Sequence, residues 1–423
     1  MTETPTSTPP PNTSAGGRHE AAPVPDFPLG RPSGCPFDPA TAYSQLRDEA
    51  PLTKVATPAG VDAWLVSRYD DVRTALRDRR LSSRLAPSMH VVAGADLDRP
   101  AESGSILNLD GAEHTRLRRL LTSEFTVKRI QALRPRIQEI IDLHLDAMLA
   151  SPRPVDLVRD FALPIPSLVI CELLGVPYAD RDTFQRQSAR LVAVDVPQAE
   201  ADAVASEINE YMAGLVMAKL QQPADDLLSR LIERSSDTER PLTMEELVSI
   251  GVTLLIAGHE TTANMIALST LVLLRNPEQL KALQENPELA APATEELLRY
   301  LSVVQFGVFR EVPTDMALGA EQLKAGDYLI AALSAANRDK AVYPDPDHVD
   351  LTRKASSHMA FGFGPHQCIG QQLARVELQE VFVRLFQRIP TLRLAVPFEE
   401  LQFKHNTLVY GVTALPVTWD DPS

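Results

Sequence analysis

Cysteine is scarce in this chain: Cys35, Cys171 and Cys368 are the three in 423 residues. So odd and widely spaced a set argues against a disulfide framework and fits a reducing, cytoplasmic setting. Basic side chains are also in deficit, with 41 Lys and Arg against 56 Asp and Glu, a formal net charge of −15. Nucleic-acid binders carry basic patches, so that class of partner is excluded. The first 24 residues hold Pro, Thr, Ser and Gly but no apolar core of the kind a secretory signal or membrane anchor requires. They read as a disordered tail. No flavin or nicotinamide fingerprint appears, so the chain brings no hydride carrier of its own.

What is present centres on Phe361-Gly362-Phe363-Gly364-Pro365-His366-Gln367-Cys368-Ile369-Gly370. From 371 to 388 the apolar residues Leu373, Val376, Leu378, Val381, Phe382 and Leu385 recur at helical spacing, so Cys368 stands just before a helix N-terminus. The unpaired N–H groups and the positive dipole end there favour thiolate and make the sulfur a strong metal ligand. Gly364 and Gly370 allow the backbone angles that let a loop lie flat against a planar partner, and Phe361 and Phe363 can shield the sulfur from water. On composition alone, an inert buried cysteine is the commoner fate.

The spacing Phe-x-x-Gly-x-x-x-Cys-x-Gly resembles the haem-binding loop of the cytochrome P-450 family. The resemblance implies haem b, with Cys368 as its iron ligand, Phe361 and Gly370 beside it and His366 bonded to a propionate. It also implies a mainly α fold with small β-sheets, the haem lying between a long central helix and the helix that follows the cysteine loop. Length alone makes two domains the default, but with a cofactor at its centre residues 25–423 read as one catalytic domain.

The remaining motifs occur in the family's order. On a helix expected over 112–125, His114 and Arg118 lie one turn apart. By charge alone this is a solvated basic face; by resemblance both reach a haem propionate, for which a guanidinium fork is suited. Arg116 and Arg119 point elsewhere and are candidates for docking an acidic electron donor.

The longest helix is expected over 244–275, opened by a Thr243/Glu246 capping box and stopped by Asn276-Pro277. His259, Glu260, Thr261, Thr262 and Asn264 interrupt its apolar run, which argues for a helix through the core touching a cofactor and against a membrane span. Ala257-Gly258-His259-Glu260-Thr261-Thr262 resembles the family's oxygen-activation signature. Small Ala257 and Gly258 would leave room beside the cofactor, Thr261 would bond back to the Ala257 carbonyl, and Glu260 would gate protons toward a water held by Thr261. His259 occupies the variable place of the pattern, with no iron-ligand role.

Glu296 and Arg299, an i,i+3 pair on a helix over 292–301, resemble the family's Glu-x-x-Arg network, completed by Arg353 in a structural role. Glu295 is an alternative partner for Arg299. Alternating runs at 52–56 and 63–67 predict a hairpin, runs at 303–312 and 328–333 predict strands, and 407–412 with 413–419 predict a second hairpin. Arg310 matches a second propionate-binding arginine. Val303, Val304, Leu408 and Val409 are expected in the substrate pocket, with the loop at 81–106 over it. Helices are expected near 129–150, 165–175, 180–194, 199–221 and 224–234.

The resemblance implies a monooxygenase that hydroxylates or epoxidises a hydrophobic small molecule with O2. Electrons would come from NAD(P)H through ferredoxin reductase and ferredoxin. Gly34-Cys35-Pro36-Phe37-Asp38-Pro39 and Leu415-Pro416-Val417-Thr418-Trp419 resemble soluble actinobacterial members that tailor natural products or oxidise xenobiotics. Two alternatives remain at this level: a peroxide-driven enzyme of the same fold, which would not need Glu260 and Thr261, and a haem sensor or docking module without turnover.

Overall fold

The computed structural model describes residues 25–32, 35–84 and 105–421. Among these residues the helices are, in chain order, α1 Ala42–Glu49, α2 Tyr69–Arg77, α3 Gly111–Thr122, α4 Val127–Ala150, α5 Pro164–Leu174, α6 Arg181–Leu191, α7 Gln198–Gln221, α8 Leu227–Ser236, α9 Met244–Arg275, α10 Pro277–Glu285, α11 Ala290–Leu301, α12 Leu333–Ala336 and α13 Gln371–Arg388. The strands are β1 Leu52–Ala56, β2 Asp62–Val66, β3 Val155–Asp156, β4 Val308–Glu311, β5 Met316–Leu318, β6 Glu321–Leu323, β7 Tyr328–Ala331, β8 Arg393–Leu394 and β9 Pro416–Thr418. They form three small sheets, ordered β1-β2-β7-β4, β3-β9-β8 and β5-β6.

Helix α9 organises the rest. Thr243 Oγ1 accepts from the Glu246 amide at 3.2 Å while Glu246 Oε2 accepts from the Thr243 amide at 3.0 Å, so the expected capping box is complete. Past its first turns the helix is buried on most sides, polar at His259–Asn264 and at Ser269-Thr270 but otherwise mostly apolar, with Leu255, Ile266, Leu268 and Leu271 fully enclosed; such a helix belongs inside a protein. Helices α5, α7 and α13 pack against it. Among the described residues no helix is long and apolar enough to cross a membrane.

The helices expected between 129 and 234 are all present, with ends displaced by up to three residues. Helix α8 begins late because Asp226 caps it, its carboxylate accepting from the Ser229 amide at 2.8 Å. Two strand expectations need correction. The run at 303–312 is strand only over Val308–Glu311, because Ser302 ends α11 in the left-handed region and Gly307 turns at φ 79°. A Cβ on Gly307 would meet the Ala331 carbonyl oxygen at 2.4 Å, so the turn demands glycine. The hairpin at 407–419 does not form: Thr407 and Val409 bridge to Ala193 and Val304, and β9 pairs with β3 and β8. The tail at 1–24 and most of the loop at 81–106 lie outside the described residues.

Candidate active site

The cysteine loop is shaped by Gly362 and Gly364, at φ 68° and 76°. A Cβ on Gly364 would stand 2.6 Å from the Leu76 carbonyl oxygen, so the loop lies directly on the end of α2. The Cys368 amide donates to the Phe361 carbonyl at 2.8 Å and closes the loop, while Arg375 lies over the Phe361 ring at 4.7 Å. Gly370 corrects the expectation made for it: at φ −79° its backbone is ordinary. Burial pushes the Cys368 thiol up, against the downward pull of the Gly370 and Gln371 amides and of Arg118 and Arg375. The sulfur is open to a cavity and walled from bulk water, which explains why it is accessible and yet desolvated. A coordinated cation would supply the charge that fixes such a sulfur as thiolate.

One rim of that cavity is basic. The His114 ring from α3 lies 4.0 Å from the His366 ring, and His114 Nε2 is buried without a partner among the described residues. Arg118, one turn on, donates to the Gln367 carbonyl. Arg310 on β4 donates to the Phe309 carbonyl at 2.7 Å. Burial lowers Arg310 to about 10, and burial with repulsion from His366 and Arg118 lowers His114 to about 4. Asp110 is the counter-charge, 3.5 Å from His366 Nε2 and accepting from Ser82 Oγ at 2.7 Å. Burial works to raise its carboxyl, but His366, Ser82 and the Ser83 amide together hold it at about 2. Four basic side chains against one carboxylate leave the rim suited to an acidic group of a ligand.

The opposite wall is α9, where Ala257, Gly258, Thr261 and Thr262 line the cavity. Thr261 Oγ1 donates to the Ala257 carbonyl at 2.8 Å, as expected. Gly258 has a packing reason: a Cβ there would lie 2.9 Å from Ile170, so the glycine admits α5 to the helix. Glu260 is buried outside the cavity lining, its Oε2 3.4 Å from Asn264 Nδ2 and its Oε1 3.7 Å from His259 Nε2.

Apolar side chains complete the cavity. Val303 and Val304 line it as expected, with Phe125, Met265, Leu298 and Leu333. Leu408 and Val409 do not and stand corrected: the Leu408 amide donates to the Val192 carbonyl, and Val409 forms a backbone bridge with Val304. The Glu296 network is present. Arg299 grips Glu296 through two hydrogen bonds of 2.7 and 2.8 Å, and Arg353 Nε adds a third at 3.1 Å. Glu295 instead pairs with Arg375 at 2.6 Å and His358 at 3.3 Å. Arg116 is engaged by Glu246 and Glu113, whereas Arg119 is exposed. Sequence reasoning missed Asp110, which looks like an ordinary helix cap, and Glu377, a buried carboxyl on the cavity wall.

Residues 183–392 match the family model described as Cytochrome P450. Cytochrome P-450 CYP105Q4 of Mycobacterium marinum is 46% identical over 418 residues, 98% of this chain and 99% of that one. Among solved structures, CYP105P1 in complex with filipin I aligns with a TM-score of 0.89 at 44% identity, covering 94% of this chain and 99% of that chain. The mycinamicin VIII C21 methyl hydroxylase MycCI from Micromonospora griseorubida, bound to mycinamicin VIII, aligns with a TM-score of 0.87 at 39% identity, covering 94% of this chain and 100% of that one. Identity of this order along nearly the whole length, on the fold described above, places the chain in the cytochrome P-450 family of haem-thiolate monooxygenases.

Proposed function

We propose that the cavity would hold haem b, with Cys368 as its thiolate ligand. In this reading His114, Arg118, Arg310 and His366 receive the propionates, Phe361 and Gly370 flank the sulfur, and residues 25–423 act as one catalytic domain. The observation that carries the reading is the buried His114 Nε2, without a partner among the described residues, in a cationic rim set between the Cys368 loop and the Thr261 face of α9. A buried polar atom without a partner costs about 1–3 kcal/mol and calls for an acceptor or donor from outside the chain.

Thiolate-ligated haem supplies activation of O2, the sulfur's electron density favouring O–O cleavage. The chain's own residues do the rest. Val303, Val304 and the other apolar wall residues bind a hydrophobic substrate and exclude water. Thr261, its hydroxyl tied to the Ala257 carbonyl, holds a water at the cavity edge. Glu260, buried behind it, delivers protons to that water. Electrons come from NAD(P)H through ferredoxin reductase and ferredoxin, with exposed Arg119 on the docking face. Arg116, already engaged by Glu246 and Glu113, has the smaller part in docking.

The reading is tested by optical titration of the ferric holoprotein with hydrophobic compounds, filipin I and mycinamicin VIII first, since similar structures were solved with them. A low-to-high-spin shift of the Soret band, followed by product when ferredoxin and its reductase are added, is the expected result. Failure to take up haem, or haem uptake unaffected by Cys368→Ala, would overturn it.

A further inference from the structure

His259 is a buried base to which the reading above gives no task. It is 1% exposed, and its Nδ1 stands 2.7 Å from the Leu255 carbonyl oxygen. A carbonyl only accepts, so the ring carries its proton on Nδ1 and presents a bare lone pair at Nε2. That atom has no hydrogen-bond partner among the described residues. Its neighbour is Glu260 Oε1, at 3.7 Å, which is about 0.7 Å beyond a usual N–H···O separation. Two buried acceptors facing each other are unfavourable; a single proton between them turns the contact into a hydrogen bond.

We propose that His259 Nε2 takes up, holds and returns the proton that Glu260 passes toward the cavity, so that His259 is a positioning residue acting through Glu260. The inference rests on the roles given above to Glu260 and Thr261. In the step, the one shared proton passes from Nε2 to the Glu260 carboxylate and on from that carboxyl to the water at Thr261. The ring returns to its neutral Nδ1–H form, to be reloaded from solvent; no electrons move.

The surroundings suit a base that must release what it binds. Burial and the Lys404 ammonium both disfavour the imidazolium, while Glu260 and the Leu255 carbonyl favour it. These are the charged and polar groups whose fields reach the ring, Glu260 from the same helix and Lys404 from the C-terminal segment. That segment lies hard against α9: the Lys404 amide donates to the Gly411 carbonyl at 2.8 Å, and a Cβ on Gly411 would overlap Asn264 Oδ1.

The test uses holoenzyme carrying His259→Asn, His259→Gln or Glu260→Gln. Asparagine keeps a donor for the Leu255 carbonyl but has no Nε2, whereas glutamine places a polar group near it. His259→Asn is expected to lower kcat roughly 10–100-fold and to enlarge the solvent deuterium isotope effect, within the usual worth of a proton-transfer group. Its KM, haem content and substrate-induced spin shift stay unchanged, and His259→Gln recovers part of the loss. A second readout needs no turnover: infrared spectra of resting enzyme with ring-nitrogen-labelled histidine, between about pH 5 and 9. A ring band lost in His259→Asn should respond to pH and shift in Glu260→Gln. A ring that stays neutral throughout and ignores Glu260→Gln overturns the proposal, and this readout decides if His259→Asn loads no haem. Full activity in His259→Asn beside a slow Glu260→Gln sinks the role of His259 alone; an unaffected Glu260→Gln sinks it together with the reading beneath it.

Discussion

His114 and His366 lie ring over ring, 4.0 Å apart, so that α3 and the cysteine loop meet at one edge of the cavity. Asp110 attends to His366, while His114 Nε2 has no partner among the described residues. With Arg118 and Arg310 this edge has the charge to suit carboxylates. Arg310→Leu should weaken haem retention roughly 10–100-fold, the equivalent of one charge-assisted hydrogen bond. Transfer of haem to a scavenger protein measures this; an unchanged rate of loss would remove Arg310 from the rim.

Thr261→Ala removes the hydroxyl that bonds to the Ala257 carbonyl. Oxygen consumption should continue while product per O2 falls roughly 10-fold, because proton delivery at the cavity edge is no longer ordered. Thr261→Ser should restore much of the coupling. Simultaneous oxygen-electrode and product assays decide the matter, and equal coupling in the alanine variant would leave Thr261 a packing residue.

Gly362 and Gly364 share a left-handed backbone but differ in surroundings. A Cβ on Gly362 meets nothing within 4 Å, whereas one on Gly364 meets the Leu76 carbonyl oxygen at 2.6 Å. Gly362→Ala should cost only the backbone strain, about 1–2 kcal/mol. Gly364→Ala adds a clash with main chain that cannot rotate away, for a total of about 3 kcal/mol or more. Urea unfolding of both variants compares them directly, and equal losses would mean that α2 gives way.

Glu296 is fully enclosed with Arg299, and Arg353 closes the network. Glu296→Ala leaves a buried guanidinium uncompensated and should destabilise by about 3–5 kcal/mol. Arg353→Leu removes the bond to Glu296 and those to the carbonyls of Pro344, Asp345 and His348, at a more open position where water can take over the carbonyls, and should cost about 1–2 kcal/mol. Chemical denaturation measures both; a small loss for Glu296→Ala would mean that the carbonyls of Asn337 and Pro346, which Arg299 also reaches, suffice to hold it.

What is legible in the sequence is what local chemistry decides. The bounds of α9 follow from Thr243, Glu246 and the Asn276-Pro277 stop, all within one turn of its ends. The cysteine loop and the pairs His114 with Arg118 and Glu296 with Arg299 are spaced by the helix or by a fixed motif. Residues 303–307 and 407–412 are misread because alternation gives a strand's faces but not its partner, which here comes from distant segments. Asp110 carries the signature of a helix cap, yet its carboxylate turns away to His366 and Ser82. Cys368 shows the same division. The helix end that draws its pKa down is local, and the burial that pushes it up belongs to the whole packed molecule.

Glu377 is the clearest case of a group whose state is set by packing. Between Val376 and Leu378 on α13 it reads as a polar position on a helix, yet it is buried on the cavity wall, with Oε2 unpartnered among the described residues. Burial pushes its carboxyl up to about 8, against roughly 4.3 in an unfolded chain. Between those two values the folded protein holds a proton that the unfolded chain has released. Stability therefore falls as pH rises through that window and levels off above it. Glu377→Gln, permanently neutral, should match the wild type near about pH 4 and exceed it by several kcal/mol above about pH 8. Denaturant unfolding of both proteins across that range tests the sign. A difference that stays flat with pH would mean that a bound water or the haem-loaded cavity satisfies the carboxylate, and a difference of opposite slope would place a cation beside it.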